Sequence, residues 1–144
     1  MGRMALENDE RQAFLAEPHI AGLSIEAGPD RAPLAVPMWY QYTPGGDIWF
    51  LTGTESRKMR LLRQAGRATI LVERLTPTIR YVSVSGPVSR TVEGTKADIE
   101  ELAARYLPPE QVGPYVEFAT GDHGAQTKVF LTPKQWVASD LGSL

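Results

Sequence analysis

PMWYQYTPGGDIWFLTGTESRKMRLL, residues 37–62, reads as a strand, a Pro-Gly-Gly turn, a second strand and a short polar loop that opens a helix. The helix begins Ser56-Arg57-Lys58-Met59-Arg60. A helix start carries partial positive charge, and each cation placed there is disfavoured by roughly 0.3–1 kcal/mol. Arg57, Lys58 and Arg60 therefore oppose the dipole unless an anion sits among them. Free backbone N–H groups, the hydroxyls of Thr52, Thr54 and Ser56, and the cationic arms together compose a phosphate site. The expectation is that this stretch holds the phosphate of a bound cofactor.

Composition narrows the rest. The chain has 144 residues, enough for one domain over 1–144 with a real core. A net charge of −2 gives no bulk attraction for nucleic acid or a membrane surface. There is no cysteine, which removes disulfides, thiol nucleophiles and thiolate metal sites. With His19 and His123 the only histidines, a multi-histidine metal centre lacks ligands, and no metal is expected. The start, MGRMALENDERQAF, is charged and has no apolar signal core. No run approaches the roughly 18 apolar residues of a spanning helix. The expectation is a soluble cytoplasmic protein.

Outward from the central stretch, Leu6–Glu17 patterns as a short amphipathic helix that Pro18 ends. Ile20–Ala27 alternates as a strand, and Gly28-Pro29-Asp30-Arg31 is a turn. Pro33–Tyr42 alternates again, with Leu34, Val36, Met38, Tyr40 and Tyr42 on one face and Ala35, Pro37, Trp39 and Gln41 on the other. Both faces are too apolar for a sheet with one wet side, which predicts cover on both. Pro37 cannot donate to a ladder and marks an edge, a bulge or a ligand-facing break. Ile48–Thr52 closes a hairpin, and the helix from Thr54 to Ala65 ends at Gly66. Thr69–Glu73 and Ile79–Val92 are strands, with a bend at Pro87. Thr95-x-x-Asp98 opens a helix with Ile99, Leu102, Ala103 and Tyr106 at helical spacing. A second short helix through Tyr115 and Phe118 is interrupted by Gly113-Pro114, and Gly121-Asp122-His123-Gly124 is a loop. Gln126–Leu131 is a last strand, and Trp136–Ala138 a short closing one. About six strands joined by hairpin turns predict a small antiparallel barrel with inserted helices, mainly β within the α+β class.

Four landmarks resemble a known superfamily when taken in order: Ala35-Val36-Pro37-Met38-Trp39-Tyr40, Ile48-Trp49-Phe50-Leu51-Thr52, Ser56-Arg57-Lys58, and Ile79 to Gly86 (IRYVSVSG). The resemblance, over roughly Phe14 to Tyr106, is to the flavin-binding split β-barrels of the pyridoxamine 5'-phosphate oxidase-like superfamily. It implies a six-stranded antiparallel split barrel in a homodimer. It also implies that Thr52, Ser56, Arg57 and Lys58 bind the cofactor phosphate. The backbone from Val36 through Pro37 and Met38 to Trp39 would line the ring system, and Arg80 and Tyr81 would make polar contacts to the cofactor, often across a dimer interface.

Two departures refine the resemblance. The oxidase proper has an arginine early in the strand that here reads Pro33 to Tyr40, and none follows Arg31 in this strand. Its Trp- and Arg-rich tail is reduced here to Trp136, which argues against a vitamin B6 substrate. The Pro-Met-Trp-Tyr strand, the Thr-x-x-x-Ser-Arg-Lys loop and the Arg-Tyr-Val-x-Val-x-Gly strand are similar to the actinobacterial branch that uses the deazaflavin coenzyme F420. That branch implies a reductase passing a hydride to an electron-poor double bond of a small planar substrate. Flavin mononucleotide (FMN) chemistry and a non-catalytic coenzyme carrier stay open as alternatives. No catalytic side chain is required, because position alone accelerates such a transfer. Tyr40 and Tyr81 are candidate proton donors.

Overall fold

The structure is a computed structural model and describes residues 4–121 and 124–143. His123, in the loop expected at Gly121-Asp122-His123-Gly124, lies outside the described residues. The strands are β1 (Ala21–Ile25), β2 (Leu34–Met38), β3 (Gln41–Tyr42), β4 (Ile48–Gly53), β5 (Arg67–Arg74), β6 (Ile79–Glu93), β7 (Gln126–Leu131) and β8 (Gln135–Gly142). The helices are α1 (Asn8–Ala16), α2 (Arg57–Ala65), α3 (Lys96–Tyr106) and α4 (Pro109–Thr120). All strand pairs are antiparallel, in the order β2-β1-β5-β6-β7-β4-β3, with β8 on the free side of β6.

The long strand β6 makes this a split barrel. Its first half pairs with β5 and β8, and its second half, from Val88, pairs with β7. The change of partner falls at Gly86-Pro87, and the register slips between Val88 and Arg90. The turn between β7 and β8 crosses β6 there: Thr132 N–H donates to the Pro87 carbonyl at 3.0 Å, and Lys134 N–H to that of Ser85 at 2.9 Å. A Cβ on Gly86 would stand 1.7 Å from the Thr132 carbonyl oxygen, so only glycine fits the crossing. The bend expected at Pro87 is thus made by two residues together, one small and one unable to continue a ladder.

Inward-facing alternation fills the barrel. Leu23 and Ile25 of β1, Ile48 and Phe50 of β4, Ile70 and Val72 of β5, Val82 and Val84 of β6 and Val129 of β7 form one core with Phe14 and Leu15 of α1 and Met59, Leu61 and Leu62 of α2. Helices α3 and α4 lie outside the β3-β4-β7 half. Leu102 packs with Trp49 and Phe130, while Ile99 and Ala103 meet Val116.

Among the described residues eight strands stand where about six were expected, for two reasons. The alternating run Pro33–Tyr42 is broken after Met38 into β2 and β3, which lie at opposite ends of the sheet order. The closing strand runs eight residues, Gln135–Gly142, because β6 offers it a full free edge. Helix α4 is also continuous through Gly113-Pro114. Proline removes one backbone hydrogen bond, and the packing of Val112, Tyr115, Val116 and Ala119 against α3 carries the helix past it. Pro37 does sit on an edge strand, but in one chain β2 is covered on one face only: Ala35 and Pro37 are exposed.

Candidate active site

The break between β2 and β3 opens a cavity of about 310 Å³. Pro37 and Met38 of β2 and Trp39 form one wall; Leu51 of β4, Ile99 and Leu102 of α3 form its floor; Tyr115, Phe118 and Ala119 of α4 face them. Lys58 of α2 and Gln126 of β7 supply polar atoms. Trp39 stacks on Tyr106 with ring centroids 4.9 Å apart and planes 13° apart, and tilts against Tyr115 at 5.1 Å. Phe118, at the mouth, is 67 % exposed. Its lining side chains are mostly apolar and aromatic, with Lys58 and Gln126 among them, a common make-up of a small-molecule site.

The cationic helix start is built as a cap with free arms. Ser56 is the N-cap of α2; its Oγ accepts from the Met59 N–H at 3.2 Å and lies 3.1 Å from Thr52 Oγ1. Thr52 is buried behind it, and Thr54 Oγ1 meets Thr127 Oγ1 at 2.7 Å. No acidic residue occupies the first turn. Among the described residues Arg57 and Lys58 make no ion pair, and Lys58, half-buried, faces the cavity. A part-desolvated cation without a counter-charge favours an anionic ligand. Gly66 ends the helix at φ +70°, as its position after Ala65 predicts.

The structure therefore brings together Pro37, Met38, Trp39 and Lys58 on one cavity, with Ser56 and Thr52 supporting the cap beside it. Arg57 is exposed next to Lys58, and Val36 turns inward to the main core. Arg80 and Tyr81 are not part of this cavity within one chain. Arg80 Nε donates to Asp140 at 2.9 Å, beside Arg74 at 3.7 Å from the same carboxylate. Hydrogen bonds from the Thr78 hydroxyl and the Gly142 N–H, with Arg80 adjacent, hold the Asp140 carboxyl down to about 2. Tyr40 cannot serve as a proton donor here. Its phenol is buried and donates to the Leu15 carbonyl at 2.6 Å, and burial pushes it well above the ordinary tyrosine range.

Sequence reasoning missed Leu51, Leu102, Tyr115 and Phe118 as lining. A helix through Tyr115 and Phe118 is legible in the sequence, but only the docking of α4 on α3 shows where that face points.

An antiparallel split barrel with an aromatic cleft at its broken strand is the class that fold and site define. The family model described as pyridoxamine 5'-phosphate oxidase matches residues 7–131, and the chain belongs to that family. Among solved structures, a protein named F420 reductase is similar at 22 % identity, covering 88 % of this chain and 94 % of its own, with a TM-score of 0.69. A conserved hypothetical protein from Mycobacterium tuberculosis is 24 % identical over 97 % of this chain and 88 % of its own, TM-score 0.71. A FAD-binding protein from Mesorhizobium loti is 15 % identical over 99 % and 100 % of the two chains, TM-score 0.61. No curated protein matches the chain.

Proposed function

We propose that this chain is a coenzyme F420-dependent reductase acting on an electron-poor double bond of a small planar substrate. The observation that carries the reading is the pairing, on one cavity, of an aromatic wall at Met38-Trp39 with the unpaired ammonium of Lys58. A flat ring system with a phosphate tail matches that pairing in shape and in charge. The apolar wall takes the ring, and Lys58, with Arg57 and the free N–H groups of the α2 start, takes the phosphate. Ser56 keeps its oxygen for the cap and shares a hydroxyl–hydroxyl hydrogen bond with Thr52. When bound, the reduced coenzyme supplies the hydride; the chain's own residues position the ring and keep its face dry. Among the described residues no side-chain acid–base pair lines the cavity, so proton delivery is assigned to solvent or to the Tyr115 phenol.

A flavin in place of the deazaflavin is the second reading, favoured by the family itself and by the FAD-binding neighbour. Both coenzymes share the phosphate end, and Lys58 serves either. A non-catalytic carrier of either coenzyme is the third reading, and turnover separates it from the other two.

The protein is further proposed to work as a cytoplasmic homodimer with no membrane or nucleic-acid partner. Across the outer face of the β2-β1-β5-β6-β8 half, Pro37, Gly22, Leu71, Ser83 and Val137 stand in one register row. Leu71 and Val137 are 45 % and 60 % exposed, and the small residues Gly22 and Ser83 beside them in the row keep the face flat. A second copy on that face would cover the side of β2 that one chain leaves open, and would bring a partner's surface up to Tyr81.

Oxidation of reduced F420 by the purified protein, with activated enones and nitroaromatics as acceptors, tests the proposal. Acceptor-dependent loss of the reduced coenzyme is the expected result. Binding without turnover favours the carrier, and oxygen consumption by a yellow protein favours the flavin reading.

A further inference from the structure

Tyr106 is the last residue of α3, yet its side chain reaches the break between β2 and β3. Its hydroxyl donates to the His19 carbonyl at 2.7 Å and accepts from the Tyr40 N–H at 3.2 Å, with the Tyr40 carbonyl also at 3.2 Å. Its ring is the one stacked nearly parallel on Trp39. Trp39 and Tyr40 lie outside both ladders: the β1–β2 register stops at Met38, and the β3–β4 register starts at Gln41. A residue that leaves a ladder loses partners for its backbone N–H and C=O, and buried groups of that kind need replacements. One phenol supplies that replacement and, through its ring, a support for the indole.

We propose that Tyr106 is a positioning residue for the cavity. Its hydroxyl pins the broken strand at Tyr40, and its ring fixes the plane in which Trp39 faces a bound ring system. The two actions are separable, because Tyr106→Phe keeps the stacked ring and deletes the pin. The variant should still fold. Arg105 independently docks the end of α3, donating to the carbonyls of Ala16 and Glu17 and to Gln41 Oε1 at 2.8–3.0 Å. A suitable control is Tyr42→Phe, the same chemical deletion on β3, where the phenol meets Gln12 at 3.2 Å and does not line the cavity.

The effect on coenzyme affinity rests on the cofactor reading above; the effect on Trp39 does not. Fluorotryptophan-labelled protein gives fluorine resonances for the tryptophans, with that of Trp39 identified by its loss in Trp39→Phe. Tyr106→Phe is expected to broaden the Trp39 resonance and to weaken F420 or FMN binding about tenfold, the size of one lost buried hydrogen bond. Tyr42→Phe, with a similar fall in Tm, is expected to change neither. A Tyr106→Phe protein whose Trp39 resonance is as sharp as in the wild type would overturn the proposal and leave Tyr106 a brace of the fold. If neither coenzyme binds the wild type, the cofactor reading fails, and the Trp39 resonance alone decides for or against Tyr106.

Discussion

Ser56 and Lys58 are two residues apart and divide the work of one helix start. Ser56 Oγ caps α2 through the Met59 N–H, so Ser56→Ala should cost about 1 kcal/mol and lower Tm. Lys58 holds nothing in place among the described residues and faces the cavity. Lys58→Ala should leave Tm within a degree or two, since removing a cation from a helix N-terminus is neutral or mildly favourable. The same change should weaken coenzyme binding about tenfold to a hundredfold, the range for a hydrogen bond to a charged group. Thermal melts and coenzyme titrations of the two variants check both; unchanged affinity in Lys58→Ala would remove the phosphate assignment. The cations were legible because their place opposes the dipole. The cap was not read as such, because a serine at that position serves a helix and a phosphate equally well.

At the scale of elements, two acidic residues tie the chain together and set a pH limit. Asp98 completes the capping box of α3 with Thr95 and takes Lys128 Nζ at 2.8 Å, which joins α3 to β7. Burial pushes its carboxyl up, but Lys128 and the two Thr95 bonds outweigh burial and lower it. Asp140 joins β8 to the β5–β6 end through Thr78, Arg80 and Arg74, with its carboxyl held down to about 2 from the ordinary 3.8. A depressed carboxyl stabilises the fold above its unfolded value and loses that contribution as pH falls through its folded value. The stability from Asp140 should thus be complete at neutral pH and vanish between about pH 4 and pH 2. Tm measured across that window should fall more steeply for the wild type than for Asp140→Asn, whose deficit is largest at neutral pH. The capping box of α3 and the Gly66 end of α2 were legible because local residues make them. The break at Trp39-Tyr40 was not, because the apolar alternation runs on through it. The break is made by the pairing of β2 and β3 at opposite ends of the sheet order, with the phenol of Tyr106 holding the residues between them.

For the whole molecule, the crossing at Gly86 and the open outer face carry the remaining consequences. Gly86→Ala forces a methyl into the Thr132 carbonyl, and overpacking of that kind costs about 1–3 kcal/mol or more. A fall in the urea midpoint is the expected result, and an unchanged midpoint would show that the crossing yields. The contact between residues 86 and 132 was beyond sequence reading, since it depends on a turn passing over a strand far from it in the chain. The order of elements and most of the inward-facing core were legible, because period-two alternation writes them directly. The outer face was legible only as an excess of apolar residues in Pro33–Tyr42. If a second copy covers that face, light scattering should give twice the chain mass, and Leu71→Lys with Val137→Lys should halve it without unfolding the barrel. A wild-type monomer would contradict the dimer.

The proposed occupant of the cleft between Trp39 and Lys58 is a deazaflavin. The most direct test adds coenzyme F420 and FMN separately to the purified protein and follows the quenching of each coenzyme's fluorescence. Saturable quenching of F420, tighter than that of FMN and weakened in Lys58→Ala, is the predicted result. FMN binding with no change in F420 fluorescence would contradict the choice of coenzyme, and the absence of binding by either would contradict the site.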